Sequence, residues 1–165
     1  MKRLLFTLFL LIIACSEKDD SSPSTALAVN LILNDKSMSM GEDLHLIIQV
    51  MNADSLFALS FELNYSENLF EVNSSSVISG NLFLDGFKHE LLSTGEVGVV
   101  IGVGEDGIIH SKSSGIACEI ILSSIGLGND VIYLSSLHMI KSNGEEIDGF
   151  DELIVEPITI NIVND

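Results

Sequence analysis

The side chains that could do chemistry in this 165-residue chain are four histidines, two cysteines and 24 acidic residues. His45, His89, His110 and His138 fall in different segments. No two have the H-x-x-x-H spacing that aims a pair of imidazoles at one metal ion. Paired carboxylates can split a glycosidic bond when a cleft holds them at a set separation. With so many acids in one short chain, a pair found by eye has no weight. "GEDGI" and "SNGEEIDGFDE" offer oxygen ligands for calcium, yet neither has the twelve-residue EF-hand pattern. There is no G-x-S-x-G elbow, no P-loop and no dinucleotide fingerprint. The glycines of "GVGEDGI" read as a strand end and a turn, with no helix whose N-terminus could hold a phosphate. An enzyme is not expected, nor a cofactor of the chain's own.

The first cysteine has a different role. "MKRLLFTLFLLIIAC" begins with Lys2 and Arg3 and continues as an apolar run from Leu4 to Ile13, broken only by Thr7. That run is short for a membrane span and fits a signal peptide. Its end, "LIIAC", resembles a bacterial lipobox, which implies cleavage after Ala14 and acylation of Cys15. Several acyl chains on one cysteine anchor a protein stably, at about 0.8 kcal/mol per buried CH₂. Residues 1–14 are therefore expected to be a lipoprotein signal. Residues 15–25, "CSEKDDSSPST", are polar and acidic, and read as a flexible tether. Ser16 and the acidic run from Glu17 resemble tethers of outer-membrane and surface-exported lipoproteins. The expected location is the bacterial cell envelope, on the outer membrane.

Cys118 is then the one remaining thiol, and no intrachain disulfide can form. In "IACEII" it takes an inward strand position, so it reads as a buried, inert group.

Positioning such residues requires a scaffold, and the body, 26–165, reads as strands throughout. Val, Ile, Leu, Ser and Gly dominate, Trp is absent, and of the chain's two prolines, Pro23 and Pro157, only Pro157 falls in the body. "GEDLHLIIQVMN" alternates, with Leu44, Leu46, Ile48 and Val50 on one face. "LFALSFELNY" alternates over nine residues: Phe57, Leu59, Phe61, Leu63 and Tyr65 point inward, and Ala58, Ser60, Glu62 and Asn64 outward. "GEVGVVIGVG" places Val97, Val99, Ile101 and Val103 inward. "GIACEIILSS" does so for Ile116, Cys118, Ile120 and Leu122, and "EPITINIV" for Ile158, Ile160 and Ile162. "ALAVNLILN", "LFEV" and "DVIYLSS" are further strands, "NLFLDGF" and "KHELLS" weaker ones, and Asn143-Gly144 marks a hairpin turn. About nine strands at short spacing predict an all-β, nine-stranded sandwich of the jelly-roll or immunoglobulin-like kind.

Charge limits the partners. Seven basic residues oppose 24 acidic ones, a formal net charge of −17. Such a surface repels phosphate backbones, which excludes nucleic acid, and it does not adhere to anionic lipid by charge. Membrane contact is expected through the lipid anchor alone.

"LFALSFELNYSENLFEV" resembles the strand-corner-strand of cohesin domains, in which an alternating strand ends in Tyr, often Tyr-Asp-Pro, before a Leu/Glu/Val-rich segment. Tyr65, Leu69, Glu71 and Val72 match in place, while Ser66 and Glu67 stand where Asp and Pro are common. "GEDLHLIIQVMNA", "GVVIGVGEDGI", "GIACEIIL" and "NGEEI" resemble further family segments in the same order, so the likeness spans roughly Ala26 to Val163. It implies a nine-stranded jelly roll that binds dockerins, small calcium-dependent helical modules carried by other proteins, often polysaccharide-degrading enzymes. The calcium there belongs to the dockerin. Carried over by position, the implied partner-binding face comprises Ala58, Ser60, Glu62, Val100, Gly102, Glu105, Tyr133 and Ser135. Many cohesins carry Asn or Asp where this chain has Ala58 and Ser60. Val100 and Tyr133 stand out as apolar and aromatic groups on a polar face.

Two other functions fit the same scaffold. A carbohydrate-binding module would stack sugar rings on exposed aromatics, but this chain offers only Tyr65 and Tyr133, with Tyr65 inward. A structural or adhesive envelope protein without a dockerin would share all the features above.

Overall fold

The structure is a computed structural model and describes residues 27–53, 56–83, 86–102, 113–148 and 155–164. The expected signal, the tether with Cys15, and Val103, Glu105 and His110 lie outside the described residues.

Twelve strands and one 3-10 turn make up the described chain. They are β1 (Ala28–Leu33), β2 (Ser37–Ser39), β3 (Asp43–Met51), β4 (Leu56–Asn64), β5 (Phe70–Glu71), β6 (Val77–Ser79), β7 (Phe87–Ser93), β8 (Glu96–Gly102), β9 (Ser114–Ser124), β10 (Gly128–Lys141), β11 (Glu146–Asp148) and β12 (Ile158–Val163). The turn spans Ser74–Ser76, where the Asn73 side chain accepts the Ser75 N–H at 3.0 Å. One sheet runs β1-β3-β9-β5, with β6 also on β9. The other runs β2-β12-β10-β4-β8-β7, with β11 on β10. Every pairing is antiparallel except β2 with β12. The fold is thus the all-β sandwich expected. The strand count exceeds nine because β2, β6 and β11, three residues each, carry too short a pattern to be read from sequence.

The core lies between the sheets and is built by the alternating residues. Leu44, Leu46, Ile48 and Val50 of β3 are buried, as are Leu59, Phe61 and Leu63 of β4. Val97, Val99 and Ile101 of β8 and Ile158, Ile160 and Ile162 of β12 complete the pattern. Two inward assignments are corrected. In β9 the partners step from Ile48↔Cys118 to Gln49↔Ile116, so Ala117 is the extra residue of a bulge. Ala117 is buried, and Ile116 is only half-buried on the other side. In β4 a register shift beside Lys141 buries Leu56 and leaves Phe57 half-buried. "NLFLDGF" forms no strand over its described residues before Phe87, where β7 begins: Leu82 and Phe83 enter the core from a loop.

β10 is longer than the segment "DVIYLSS". It continues through Leu137, His138 and Met139 to Lys141 because a bulge absorbs the break at Ser136. Phe61 opposes both Ser136 and Leu137, and Ser136 takes φ 50. The Asn143-Gly144 turn then reverses the chain, with Gly144 at φ 82 and Asn143 Oδ1 accepting the Glu145 N–H at 2.9 Å.

Candidate functional site: the outer face of the larger sheet

Four neighbouring strands, β7, β8, β4 and β10, form an open face. Their registers set the side chains in rows. Lys88 stands beside Val100, then Ser60, then His138. Glu90 stands beside Gly98, then Glu62, then Ser135. Gly102, Ala58 and Ile140 form a third row, and Glu96, Asn64 and Tyr133 a fourth. Seven of the eight residues assigned to the partner-binding face therefore share one surface: Ala58, Ser60, Glu62, Val100, Gly102, Tyr133 and Ser135. Glu105 lies outside the described residues.

The relief of this face follows from β8. Gly98 and Gly102 have no side chains, so the middle of the sheet is low and Val100 rises from it, 55% exposed. A Cβ added to Gly98 would meet the Leu92 side chain at 3.0 Å, so Leu92 leans over that glycine. The result is an open groove of about 730 Å³ whose floor and walls include Ser60, Glu62, Val100, Lys88, Leu92 and His138. Tyr133, 44% exposed, stands one row beyond, and Ile140 is exposed at the other end.

Polar groups on the face are held by one another. Ser136 Oγ donates to Glu62 Oε2 at 2.6 Å, and Ser135 Oγ donates to the same oxygen at 3.1 Å. Asn64 Nδ2 donates to Ser135 Oγ at 2.7 Å. The bulge makes this clamp, because it turns Ser135 and Ser136 together toward Glu62. His138 Nδ1 lies 3.1 Å from Glu146 Oε1. Lys141 Nζ donates to Glu145 Oε2 at 3.1 Å, and this bond, with a second from Asn143, lowers the Glu145 pKa. The face is thus a small apolar centre with an acidic surround and Lys88 at one wall. A fixed carboxylate next to exposed apolar groups can orient a docked protein surface.

Sequence reading missed Lys88, Glu90, Leu92, Gly98, Ser136 and His138. The β7 residues left only a weak signal, since "KHELLS" is short and largely polar and does not alternate. Ser136 and His138 follow the serine break and could be placed only once the bulge was known.

Chemistry elsewhere is sparse. Cys118 is fully buried, and burial pushes its pKa up to about 12, so it is an unreactive thiol. His45 Nδ1 lies 2.6 Å from Glu119 Oε1 on the outer face of the smaller sheet. His89 Nε2 lies 3.0 Å from the Ser74 carbonyl oxygen. Among the described residues no three His, Cys, Asp or Glu side chains gather as a metal site.

This open sheet face belongs to a two-sheet, all-β sandwich. The particular architecture is that of cohesin domains. The third ScaC cohesin of Acetivibrio cellulolyticus, solved with the ScaB dockerin, is 18% identical and superposes with a TM-score of 0.69, over 84% of this chain and 99% of that one. The non-cellulosomal cohesin of the archaeon Archaeoglobus fulgidus is 16% identical, with a TM-score of 0.65 over 84% and 91%. A type II cohesin domain from the cellulosome of Acetivibrio cellulolyticus is 13% identical, with a TM-score of 0.67 over 82% and 95%. The chain therefore has the cohesin-like jelly-roll fold. No protein-family model and no curated protein matches it.

Proposed function

We propose that this chain is a cell-envelope binding module that docks a dockerin-type helical module of another protein on the β7-β8-β4-β10 face. The observation that carries the reading is the convergence of Ser60, Glu62 and Val100 on one open groove, with Ala58 and Gly102 in the next row of the same face, in a fold whose solved examples include dockerin complexes. Val100 supplies an apolar anchor, and the Ser135–Glu62–Ser136 clamp supplies an oriented acceptor. Calcium enters with the partner, and the role is capture rather than catalysis.

The lipobox-like "LIIAC" supports an anchor at Cys15, and the acidic tether supports display from the outer membrane. Cargo of polysaccharide-degrading enzymes accords with that placement. To test the docking, the immobilised protein is exposed to dockerin-bearing proteins of its own organism, with calcium and then with chelator. Calcium-dependent retention that Val100→Asp abolishes supports the reading; retention indifferent to both defeats it. Anchoring is tested by mass spectrometry of the N-terminal peptide, where an unacylated Cys15 refutes it.

A further inference from the structure

The larger sheet ends at β7, which has β8 on one side and no strand on the other among the described residues. Gly102 N–H donates to the Gly86 carbonyl at 3.2 Å, which fixes the parity of the ladder. In an antiparallel pair, hydrogen-bonded positions alternate. Gly86, Lys88 and Glu90 therefore face β8 with their backbone groups, and Phe87, His89 and Leu91 direct theirs to the free edge.

That edge reads Phe-Lys-His-Glu-Leu from Phe87 to Leu91. The order is apolar, positive, histidine, negative, apolar. Reversed about His89, it is complementary to itself. We propose that β7 is a homodimer interface, pairing antiparallel with β7 of a second copy about a two-fold axis at His89.

The parity agrees with this axis. Phe87 faces Leu91 of the second copy, His89 faces its equivalent, and Leu91 faces Phe87. All three are the edge-directed residues, so about six backbone hydrogen bonds form. On the outer face Lys88 meets Glu90 of the second copy, twice. On the inner side Leu91 lines an open recess of about 410 Å³ with Tyr65, Phe70 and Ile125, and the Phe87–Leu91 pairs cover part of this apolar surface. A lysine on an edge strand usually discourages pairing. Here the glutamate two residues on turns the same lysine into a match for one partner, another copy of this strand. The two binding grooves would then lie side by side on one continuous sheet. This pairing stands whether or not the partner of the groove is a dockerin.

The test is sedimentation velocity of the purified full chain in detergent, at moderate salt. A net charge of −17 repels the copies at long range, and salt screens that beyond about 10 Å while close pairs persist. A concentration-dependent dimer is expected. Lys88→Glu sets four glutamates across the axis, and Glu90→Lys sets four lysines; each should weaken dimerisation roughly tenfold or more. The double variant Lys88→Glu/Glu90→Lys restores complementarity and should regain the dimer. A monomer at every concentration overturns the proposal, as does a dimer that the single variants leave unchanged or the double variant fails to restore.

Discussion

Asp130 Oδ2 accepts the Ser66 N–H at 2.8 Å, which ties the start of β10 to the corner that follows β4. The carboxylate is buried, and its other oxygen accepts the Val131 N–H at 2.8 Å. Tyr65 N–H donates to the Gly95 carbonyl on the opposite side of the same corner. Asp130→Ala would leave the Ser66 N–H without its acceptor in a part-buried place. A buried polar group left unmade costs about 1–3 kcal/mol. Urea unfolding at neutral pH should show that loss of stability, with the denaturant slope unchanged. A loss below a few tenths would mean that water replaces the carboxylate.

Val100 and Glu62 should govern partner capture without governing stability. Val100 is the exposed centre of the groove, so Val100→Asp removes an anchor and introduces a charge without disturbing the core. Truncated anchors at interface centres cost about 2 kcal/mol or more, which is at least thirtyfold in affinity. Glu62→Ala removes the acceptor shared by Ser135 and Ser136 and should weaken capture by a smaller factor. The melting temperature of both variants should stay close to the parent's. Surface plasmon resonance against the captured partner, beside calorimetry, separates the two effects.

The sequence showed the core more readily than the face. Period-two alternation marks Leu44 to Val50 and Ile158 to Ile162 because burial on one side of a strand leaves a repeating trace. It failed at Ile116 and Phe57, where a bulge and a register shift break the period, and local pattern carries no sign of either. The outward residues of β4 and β8 were legible as the other half of the alternation. Lys88 and Leu92 were not, since β7 is an edge strand whose inner side is itself partly exposed. His138 was hidden behind Ser136, whose φ of 50 marks the bulge in β10. The union of these strands in one face is a long-range fact, fixed by strand order and register.

Gly80 should tolerate no side chain. A Cβ built there would lie 2.0 Å from the Ile116 carbonyl oxygen, which accepts N–H groups from both Asn81 and Leu82. The clash is with backbone, so no rotamer relieves it. Gly80→Ala must push this segment off β9 and draw Leu82, which is fully buried, from the core. A loss of about 2–4 kcal/mol is expected, the size of a core truncation with a broken backbone bond. Gly41→Ala is the control, since φ 92 strains it but nothing lies within 4 Å of the added carbon. It should cost about 1 kcal/mol. Equal effects of the two would refute the steric account.

Cys118 should make the protein sensitive to alkali while remaining inert to thiol reagents. Burial raises its pKa from an ordinary 9.0 to about 12. The sign follows from proton linkage. Above pH 9 the unfolded chain loses the thiol proton, but the folded chain keeps it up to about pH 12. The unfolded state then binds fewer protons, so stability present below pH 9 falls as pH rises toward 12. The slope for one group is about 1.4 kcal/mol per pH unit at most. Tyr65, whose pKa is raised chiefly by burial, adds to the fall above its own ordinary value of 10.0. Cys118→Ala should cost stability at pH 7 through the space it empties, yet flatten the decline from pH 9 upward. A thiol reagent should label position 118 only in denaturant. Rapid labelling of the native protein, or an alkaline decline as steep in Cys118→Ala as in the parent, would show that the sheets open around β9 and that the thiol is not sealed in the core.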